Sequence, residues 1–567
     1  MKMLGSEAII ESLKREGVEI IFGYPGGSVL TLYDALYKTN FPHILTRHEQ
    51  GAVHAADGYA RATGKTGVCF ATSGPGATNL ITGIATAYMD SIPLVVITGQ
   101  VSVPLIGKDS FQEADISGIT APITKHNYLV KKSEDLTRVL KEAFYIARTG
   151  RPGPVVIDIS KDVFNTPLEY KYPEKVSLRG YTPVYEGDEA TLDEMVAVMK
   201  KAKNPLLFVG GGVILSDTAP QFKKFAKMTG FPVISSLMGL GAIESEDDNF
   251  LGMVGMHGTY AANMATVECD LLIGVGVRFD DRVTGLVQHF APNAYIVHMD
   301  IDRAEVNKNV IADLKVIGDL RWSLPLLCEK TSEELKGWRI EISDWLQEVK
   351  AWRQQMPLPP TYSQELKPAD VLPETIITAV NKLTKGEAVI VTDVGQHQMW
   401  AAQYVNVKKP RSFLTSGGLG TMGYGLPAAI GAKLGLPDKE VVLFSGDGSI
   451  MMNCQEMSTA ADNNLPIKMI VFNNSVLGMV HQWQGMFYGK RYSHSSVKGK
   501  TDLVKLAEAM GVTAFRVTER EELNSVLQKM MAVAGPALVE IIVPETADVL
   551  PMVPAGAKLD QMILGGR

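Results

Sequence analysis

The amino-acid sequence predicts an α/β protein of three doubly wound domains with mainly parallel sheets. Short apolar runs of four to eight residues alternate with amphipathic segments of helical length, a pattern typical of βαβ units whose strands are buried on both faces. This alternation occurs in three blocks. The chain length of 567 residues also fits about three domains of roughly 100–200 residues each.

The three blocks follow one another along the chain. In the first block, the predicted strands and helices alternate at 19–22, 29–38, 43–46, 51–63, 67–71, 77–89 and 93–98. In the second block, strands are predicted at 205–209, 270–275 and 294–299. In the third block, strands are predicted at 388–392, 441–445 and 467–472. Each block has the strand–helix order that builds a parallel sheet.

Two stretches break this rhythm and mark domain boundaries. Residues 165–189 carry three prolines and little periodicity, as linkers do, and residues 329–370 predict a helix followed by a connecting arm that is proline-rich at 357–360. The predicted domains are 1–165, 190–328 and 370–545, followed by a C-terminal tail at 546–567. Because it contains Pro and Gly, this tail could fold over the site as a lid.

Composition and charge exclude several function classes. The net charge is −7 and the pI is about 5.9, which argues against a nucleic-acid partner. The N-terminus lacks the pattern of a signal peptide, and no apolar run reaches the ~18 residues of a membrane span. Four cysteines lie far apart without metal-ligand spacing, as reduced thiols do. We expect a cytoplasmic protein that binds neither nucleic acid nor a membrane.

The most specific motif lies in the third block. The predicted strand at 441–445 leads directly into Gly-Asp-Gly-Ser at 446–449, and the next strand ends in Asn-Asn at 473–474. Because parallel strands end at one edge of a sheet, we expect Asp447 and Asn474 to lie close together. Their oxygens suit magnesium, and the glycines and the following helix let a diphosphate approach the backbone. An ordinary strand–turn–helix is the alternative.

This arrangement resembles the diphosphate-binding motif of thiamine-diphosphate enzymes. That family also requires a glutamate near the end of an N-terminal strand, and Glu49 follows the predicted strand at 43–46. A buried carboxyl group that hydrogen-bonds the cofactor's pyrimidine ring promotes the tautomer that activates the thiazolium carbon. Taken alone, Glu49 would more often be a surface or helix-start carboxylate. Met422, in the glycine-rich segment 417–427, would be the wedge that bends the cofactor; a core methionine is its alternative.

The whole chain resembles the large catalytic subunits of acetolactate synthase, also called acetohydroxyacid synthase. The segments that carry this resemblance are 23–27, 72–79, 111–113, 151–158, 255–258, 276–282 and 482–484. Gly-Met-His-Gly at 255–258 and Arg-Phe-Asp-Asp-Arg at 278–282 are the most informative, because they accompany FAD in the biosynthetic enzymes and are missing from the FAD-free degradative ones.

The resemblance implies a reaction. Pyruvate would be decarboxylated, and its two-carbon unit joined to a second pyruvate, giving 2-acetolactate, or to 2-ketobutyrate, giving 2-aceto-2-hydroxybutyrate. This is the first common step of branched-chain amino acid biosynthesis. The cofactors implied are thiamine diphosphate, magnesium and FAD.

The resemblance also assigns roles to individual residues. The catalytic residues would be Glu49, Gln112 and Lys161. The substrate contacts would be Gly27, Phe111, Met256, Arg282, Val480 and Trp483. Magnesium would be held by Asp447, Asn474 and the carbonyl of Val476. Thiamine diphosphate would be held by Gln396, His397, Gly420, Met422, Gly446, Gly448, Ser449, Leu477, Gly478 and Met479. The flavin would be lined by Arg151, Gly210, Gly211, Gly212, Leu237, Met238, His257, Gly276, Arg278, Asp300, Ile301 and Asp319.

Physical chemistry supports part of this assignment. The three glycines at 210–212 follow a predicted strand, as in a dinucleotide-binding turn, although a packing turn is equally compatible. Asp300 ends a strand where a carboxylate could accept hydrogen bonds from a ribose. The resemblance further implies that Arg282 holds the acceptor's carboxylate, for which a planar guanidinium offers a two-point grip. It implies that Trp483 favours 2-ketobutyrate through one methyl group, a preference of only ~1–3 kcal/mol. Without the resemblance, Trp483 would be an interface or core aromatic. Ser28, where the family commonly has Ala, leaves the fine substrate preference open.

The resemblance implies a homodimer or homotetramer, because Glu49 of one chain meets the diphosphate motif of another, and a separate regulatory small subunit. Two alternatives remain. A flavin-dependent pyruvate oxidase shares the architecture and would consume oxygen or reduce an electron acceptor. A cofactor-binding protein without turnover is the other, against which Glu49, Asp447 and Asn474 speak.

Overall fold

The computed structural model describes residues 1–334, 342–358 and 367–565. Their core consists of three six-stranded sheets in which every neighbouring pair of strands is parallel. Helices flank each sheet, which confirms the predicted fold class. No described helix is both long and apolar enough to cross a membrane.

The N-terminal domain has the strand order β3-β2-β4-β5-β7-β6, while β1 and β8 form a separate antiparallel pair. Its strands are β1 (Lys2–Leu4), β2 (Ile21–Gly23), β3 (His43–Leu45), β4 (Gly67–Ala71), β5 (Leu94–Gln100), β6 (His126–Val130), β7 (Val155–Ser160) and β8 (Pro167–Glu169). Its helices are α1 (Gly5–Arg15), α2 (Leu30–Thr39), α3 (Glu49–Thr63), α4 (Pro75–Thr78), α5 (Ile81–Asp90), α6 (Ile116–Thr120), α7 (Leu136–Arg148) and α8 (Lys161–Asn165).

The central domain has the strand order β11-β10-β9-β12-β13-β14. Its strands are β9 (Pro205–Val209), β10 (Val233–Ser235), β11 (Phe250–Met253), β12 (Leu271–Val275), β13 (Tyr295–Asp300) and β14 (Leu314–Ile317). The helices of this part of the chain, including the connection to the next domain, are α9 (Glu189–Met199), α10 (Gly211–Leu215), α11 (Ala219–Thr229), α12 (Tyr260–Glu268), α13 (Asp281–Thr284), α14 (Leu320–Glu334) and α15 (Ser343–Gln355).

The C-terminal domain has the strand order β16-β15-β17-β18-β20-β19. Its strands are β15 (Val389–Thr392), β16 (Phe413–Leu414), β17 (Val441–Gly446), β18 (Ile467–Asn473), β19 (Thr513–Val517) and β20 (Ala537–Ile542). Its helices are α16 (Pro373–Thr384), α17 (Gln396–Tyr404), α18 (Gly425–Gly435), α19 (Asp447–Ile450), α20 (Glu456–Asp462), α21 (Gly478–Phe487), α22 (Leu503–Ala509) and α23 (Leu523–Ala532).

Helices α3 and α18 pack together and join the N-terminal domain to the C-terminal domain. Glycines allow their backbones to approach closely. A Cβ on Gly58 would lie 2.5 Å from Ala428 Cα, and a Cβ on Gly431 would lie 2.7 Å from the backbone nitrogen of Tyr59. Side chains at these two glycines would therefore force the domains apart.

The predicted elements differ from the structure in two instructive places. The helix predicted at 77–89 is broken into α4 and α5 around Asn79, whose side chain turns to Glu49. The linker predicted at 165–189 begins with β8, paired to the chain's first strand. The domain limits given above stay predictions. Part of the predicted arm, namely 335–341 and 359–366 with Pro359 and Pro360, lies outside the described residues, as do 566 and 567 of the tail.

The C-terminal strap, defined here as residues 546–565, packs into the core of the central and C-terminal domains. Val549, Met552, Val553 and Leu559 are at most 1% exposed. Met552 and Ile563 exchange two backbone hydrogen bonds of 3.0 and 2.8 Å. The strap is therefore an ordered part of the fold, and its function as a lid stays a prediction.

Candidate active site

A cavity of about 1490 Å³ lies between the three domains. It collects the side chains that the sequence assigns to three different ligands. The lining residues predicted to bind the flavin are Arg151, Gly211, Gly212, Leu237, Met238, His257, Gly276, Arg278, Asp300, Ile301 and Asp319. The other predicted site residues that line it are Met256, Arg282, Gly420, Met422, Met479, Val480 and Trp483.

The diphosphate motif has the geometry that the sequence predicts. Strands β17 and β18 pair in parallel with Gly446 opposite Phe472, so Asp447 and Asn474 follow at the same edge of the sheet. A Cβ on Gly448 would lie 2.9 Å from Leu477 Cδ2 and 3.8 Å from Met422 Cε. Because Met422 lines the cavity, this contact places the motif next to the cavity.

Asp447 is a buried carboxylate that no described basic side chain neutralises. Its residue exposure is 9%, and it forms no ion pair among the described residues. Burial raises the pKa of Asp447 to about 6, against the lowering effect of hydrogen bonds from backbone N–H groups of Gly448 and Ser475. A divalent cation would compensate the desolvated charge. The residues present therefore fit a magnesium ion.

Two side chains near Asp447 differ in whether their polar atoms are free for a ligand. His397 is 5% exposed, and its Nε2 has no hydrogen-bond partner among the described residues. Burial lowers the pKa of His397 to about 3, so the ring is neutral and one of its nitrogens is available to a ligand. Ser449 Oγ donates to Val394 O over 2.8 Å, which fixes the first turn after the strand.

The loop that carries Met422 is held from two domains. Asp393 Oδ1 accepts from Gly423 N over 2.8 Å in the C-terminal domain. Asp90 of the N-terminal domain accepts from Gly417 N over 3.0 Å and from Gly418 N over 2.7 Å. Both carboxylates are buried, so the loop is fixed by groups that water does not reach. This rigidity suits a side chain that acts as a wedge.

The flavin-assigned residues form the opposite part of the cavity. The glycines at 210–212 pack against Gly276, whose backbone would be 2.7 Å from a Cβ on Gly212, so the packing-turn interpretation is also satisfied. Burial raises the pKa of Asp300 to about 7. His257 Nδ1 is buried and has no partner among the described residues. Burial lowers the pKa of His257 to about 4, so its ring is neutral. Among the described residues, Asp300 has only His298 within ion-pair distance, at 3.8 Å. The neutral His257 and this carboxylate fit a polar ligand such as FAD.

The guanidinium of Arg151 is committed to other protein groups. It donates to Ser91 Oγ over 2.7 Å, to Asp302 Oδ2 over 3.1 Å and to Glu305 Oε1 over 2.6 Å. These bonds join the N-terminal domain to the central domain. Arg151 lines the cavity and also positions its wall.

Arg282 and Trp483 are partly accessible from the cavity. The Arg282 side chain is 64% exposed, and its Nη1 lies 4.0 Å from Met256 Sδ. Trp483 Nε1 has no partner among the described residues, and the indole packs edge-on against Phe487. The C-terminal strap reaches the same region, because Val553 N donates to Met256 O over 2.7 Å.

Glu49 lies in a different part of the chain, at the first turn of α3. It is 9% exposed, and its Oε2 accepts from Asn79 Nδ2 over 2.9 Å. A Cβ on Gly76 would be 3.2 Å from Glu49 Oε1, so one carboxyl oxygen is bonded and the other is flanked by backbone. The break between α4 and α5 places Asn79 for this contact.

The other N-terminal site residues are at least partly accessible. Phe111 is 88% exposed, and Gly27 and Lys161 are exposed. Gln112 has φ +57°, and a Cβ on Gly74 would lie 2.8 Å from its carbonyl oxygen. None of these residues is among the described residues that line the large cavity. The structure thus separates the predicted site into two parts.

Ser28, the residue that departs from the family pattern, is buried and engaged. Its Oγ is 2.9 Å from Thr72 Oγ1 and accepts from Ser73 N over 2.9 Å. The hydroxyl therefore braces the 72–79 segment that supplies Asn79. Sequence reasoning did not assign Asn79, Asp90 or Gln482 to the site, although Asn79 and Gln482 lie inside segments that carry the family resemblance.

Comparisons with known proteins agree with this geometry. Three family models match: the N-terminal TPP binding domain of thiamine pyrophosphate enzymes at residues 3–119, their central domain at 192–327 and their C-terminal TPP binding domain at 393–541. The chain is 46% identical over 567 residues to the acetolactate synthase large subunit of Haemophilus influenzae, covering 99% of this chain and 98% of the relative.

Two further relatives give the same result. The chain is 47% identical to the acetolactate synthase isozyme 3 large subunit of Escherichia coli, covering 100% of this chain and 99% of the relative. It is 48% identical to the acetolactate synthase large subunit of Corynebacterium glutamicum, covering 98% and 89%. The resemblance predicted from the motifs is confirmed. The chain belongs to the thiamine-pyrophosphate enzyme family and, within it, to the acetolactate synthase large subunits.

Proposed function

We propose that this chain joins two 2-keto acids, using pyruvate as donor and pyruvate or 2-ketobutyrate as acceptor, with thiamine diphosphate, magnesium and FAD as cofactors. The observation that carries the proposal is that Met422, Arg282 and Asp300 line one cavity. These residues come from the predicted thiamine, substrate and flavin sites. The relatives compared above are acetolactate synthase large subunits, and none of them supports a pyruvate oxidase.

The residues that would hold each cofactor follow from the fit described above. Asp447, Asn474 and the Val476 carbonyl would hold magnesium, and the residues around Gly446–Ser449 and Gly478 would hold the diphosphate. When bound, thiamine diphosphate supplies the nucleophilic carbon and the electron sink for decarboxylation and two-carbon transfer. His257 and Asp300 would contact FAD.

The chain's own groups would bind substrate and control a proton. The carboxyl of Glu49, oriented by Asn79, would hold a proton at the pyrimidine ring of the cofactor. Arg282 would bind the carboxylate of the acceptor through its planar guanidinium. Trp483 would contact the acceptor's alkyl group, and Gln112 and Lys161 would stand at the entrance.

We propose that the active unit is a homodimer or a homotetramer built from such dimers. Leu30 is 62% exposed and Phe111 88% exposed, and a second copy would cover these apolar side chains. The relatives are named as large subunits, so we also expect a separate regulatory small subunit. The cysteines described are all free, which fits a cytoplasmic enzyme.

The test is an acetolactate assay with purified protein, pyruvate, thiamine diphosphate, magnesium and FAD, repeated with each cofactor left out. We expect product that requires all three cofactors. Product without FAD would overturn the biosynthetic assignment, and oxygen uptake without acetolactate would overturn the ligation itself.

A further inference from the structure

Two buried glutamines connect the diphosphate motif to the C-terminal strap. Gln396 and Gln482 are each 4% exposed. Gln396 Nε2 donates to Gln482 Oε1 over 2.9 Å, while Gln396 Oε1 accepts from Asn474 Nδ2 over 3.1 Å. Gln482 has no role in the site predicted from the sequence, although it lies on α21 between Val480 and Trp483.

The backbone of Val549 determines which way the Gln482 amide points. Val549 N donates to Gln482 Oε1 over 2.9 Å, and Gln482 Nε2 donates to Val549 O over 3.0 Å. A backbone N–H can only donate and a carbonyl can only accept, so the amide cannot flip without losing both bonds. Gln396 Nε2 also donates to Ala547 O over 2.9 Å, which fixes the second amide in the same way.

This fixed polarity reaches Asn474. Because Gln396 Nε2 faces Gln482 and Ala547, Gln396 presents its oxygen to Asn474, and only the nitrogen of Asn474 can donate to it. The Asn474 oxygen is left on the other side of the amide, where it accepts from Val476 N over 3.3 Å. A hard cation binds that oxygen and not the nitrogen.

The strap, whose backbone orients Gln482, is also hydrogen-bonded to the central domain and to Gln403. Gln403 Nε2 donates to Leu550 O over 3.2 Å and to His257 O over 3.1 Å. Val553 N donates to the carbonyl of Met256, and Gln482 Nε2 also lies 3.6 Å from Met552 Sδ. The hydrogen bonds through Gln482 and Gln396 therefore join two places. One is the strap, which contacts the substrate-assigned Met256 of the central domain, and the other is Asn474 at the cation site.

We propose that Gln482 is a positioning residue that couples the C-terminal strap to the cation site. The strap backbone orients Gln482, Gln482 orients Gln396, and Gln396 presents the oxygen of Asn474. The inference rests on the proposed function, in which Asp447 and Asn474 hold magnesium. Mutation of a residue that orients a metal ligand typically lowers the metal affinity by about 10–100-fold.

The test compares Gln482→Leu and Gln482→Glu with Gln528→Leu, which removes an exposed glutamine of α23. Hydrogen exchange of residues 546–553 is measured in the full chain without cofactors. Magnesium is then titrated in the presence of thiamine diphosphate, with tryptophan fluorescence as the signal. Far-ultraviolet circular dichroism checks the fold. If Gln482→Leu does not fold, Gln482→Glu carries the test, since it keeps both acceptor contacts and loses the donations to Val549 O and Met552 Sδ.

For Gln482→Leu we expect exchange of the strap to be at least about tenfold faster and half-saturation to need about 10–100-fold more magnesium. Gln482→Glu should fall between it and the wild type, and Gln528→Leu should match the wild type. Faster strap exchange with unchanged magnesium dependence would overturn the coupling, as would no change in either. Asp447→Ala separates the two proposals: if it binds magnesium and thiamine diphosphate normally, the cation site is wrong, whereas the exchange measurement still reports on Gln482.

Discussion

The two parts of the predicted active site are built differently. One part surrounds a cavity of about 1490 Å³ that residues of all three domains line, and it is supported by buried carboxylates and amides. The N-terminal part combines the buried Glu49 with accessible residues, of which Phe111 is 88% exposed. An exposed apolar side chain of this size is expected where a second surface covers it. This comparison supports the proposal that one chain contributes halves to two different sites.

Replacing Glu49 is expected to have the largest effect. Glu49→Gln keeps the contact with Asn79 and removes the acidic proton, so acetolactate formation should fall by about 10²–10⁴-fold. The affinity for thiamine diphosphate should change little, because the diphosphate motif lies elsewhere. The measurements are the steady-state rate and the cofactor titration. Activity equal to wild type would remove Glu49 from the proton role.

Mixing two inactive variants tests the division directly. Glu49→Gln and Asp447→Asn chains, unfolded and refolded together, should recover about a quarter of wild-type activity, because half of the statistical dimers have one intact site. The same chains refolded separately are the control. No recovery from the mixture, in the presence of proven exchange, would mean that both residues act within one chain.

The sequence predicted the residues of the cation site better than the residues that position the site. The strand ends place Asp447 and Asn474 side by side whatever the rest of the chain does, so a local pattern was sufficient. Strand order was not predicted, because it depends on which edges pair after folding. The alternating apolar runs indicated parallel sheets, and nothing in them ranks the partners.

The missed residues share one property, which is that their partners are distant in sequence. Asn79 bonds Glu49 from 30 positions away, and Gln482 bonds Val549 from 67 positions away. Asp90 bonds Gly417 from 327 positions away. A polar residue in an apolar setting suggests burial with a partner, but the partner's identity is a property of the fold.

The contact between the N-terminal domain and the loop that carries Met422 can be weakened at Asp90, which accepts from Gly417 N and Gly418 N. Its carboxylate accepts from Arg61 Nη2 over 2.9 Å, and both side chains are buried. Asp90→Asn removes one of the two buried carboxylates that pair with Arg61, which keeps Asp57, and should lower the free energy of unfolding by about 2 kcal/mol. Asp34→Asn, at an exposed pair with Lys38, is the control and should leave the free energy of unfolding nearly unchanged. Urea unfolding measures both; equal midpoints would contradict the role of the buried network.

The cation site can be disturbed alone by a substitution at Gly478. A Cβ there would overlap Gln396 Oε1 and lie 2.9 Å from Asn474 Nδ2. Gly478→Ala should therefore displace the cation ligand and weaken magnesium binding by about 10–100-fold. Gly499, whose Cβ would meet only Val497 O at 3.6 Å, supplies the control Gly499→Ala. Magnesium titration checks the result, and equal affinities in the two variants would show that Gly478 is not constrained.

The smallest effect is a pH dependence at the joint between α3 and α18, where His54 lies edge-on to Tyr424 with a ring distance of 5.4 Å. Burial, and then the charge of Arg61, lowers the pKa of His54 to about 3. The folded chain keeps this ring neutral while the unfolded chain protonates it below pH 6.5. The stability that the neutral ring contributes is therefore full above pH 6.5 and is lost as the pH falls. The loss in the free energy of unfolding is about 1.4 kcal/mol at pH 5.5.

His54→Phe keeps the ring packing and should lose less stability than wild type between pH 6.5 and pH 5.5. His494→Phe, at an exposed histidine, is the control. Parallel pH profiles of unfolding in wild type and His54→Phe would show that His54 is not the group that carries this dependence.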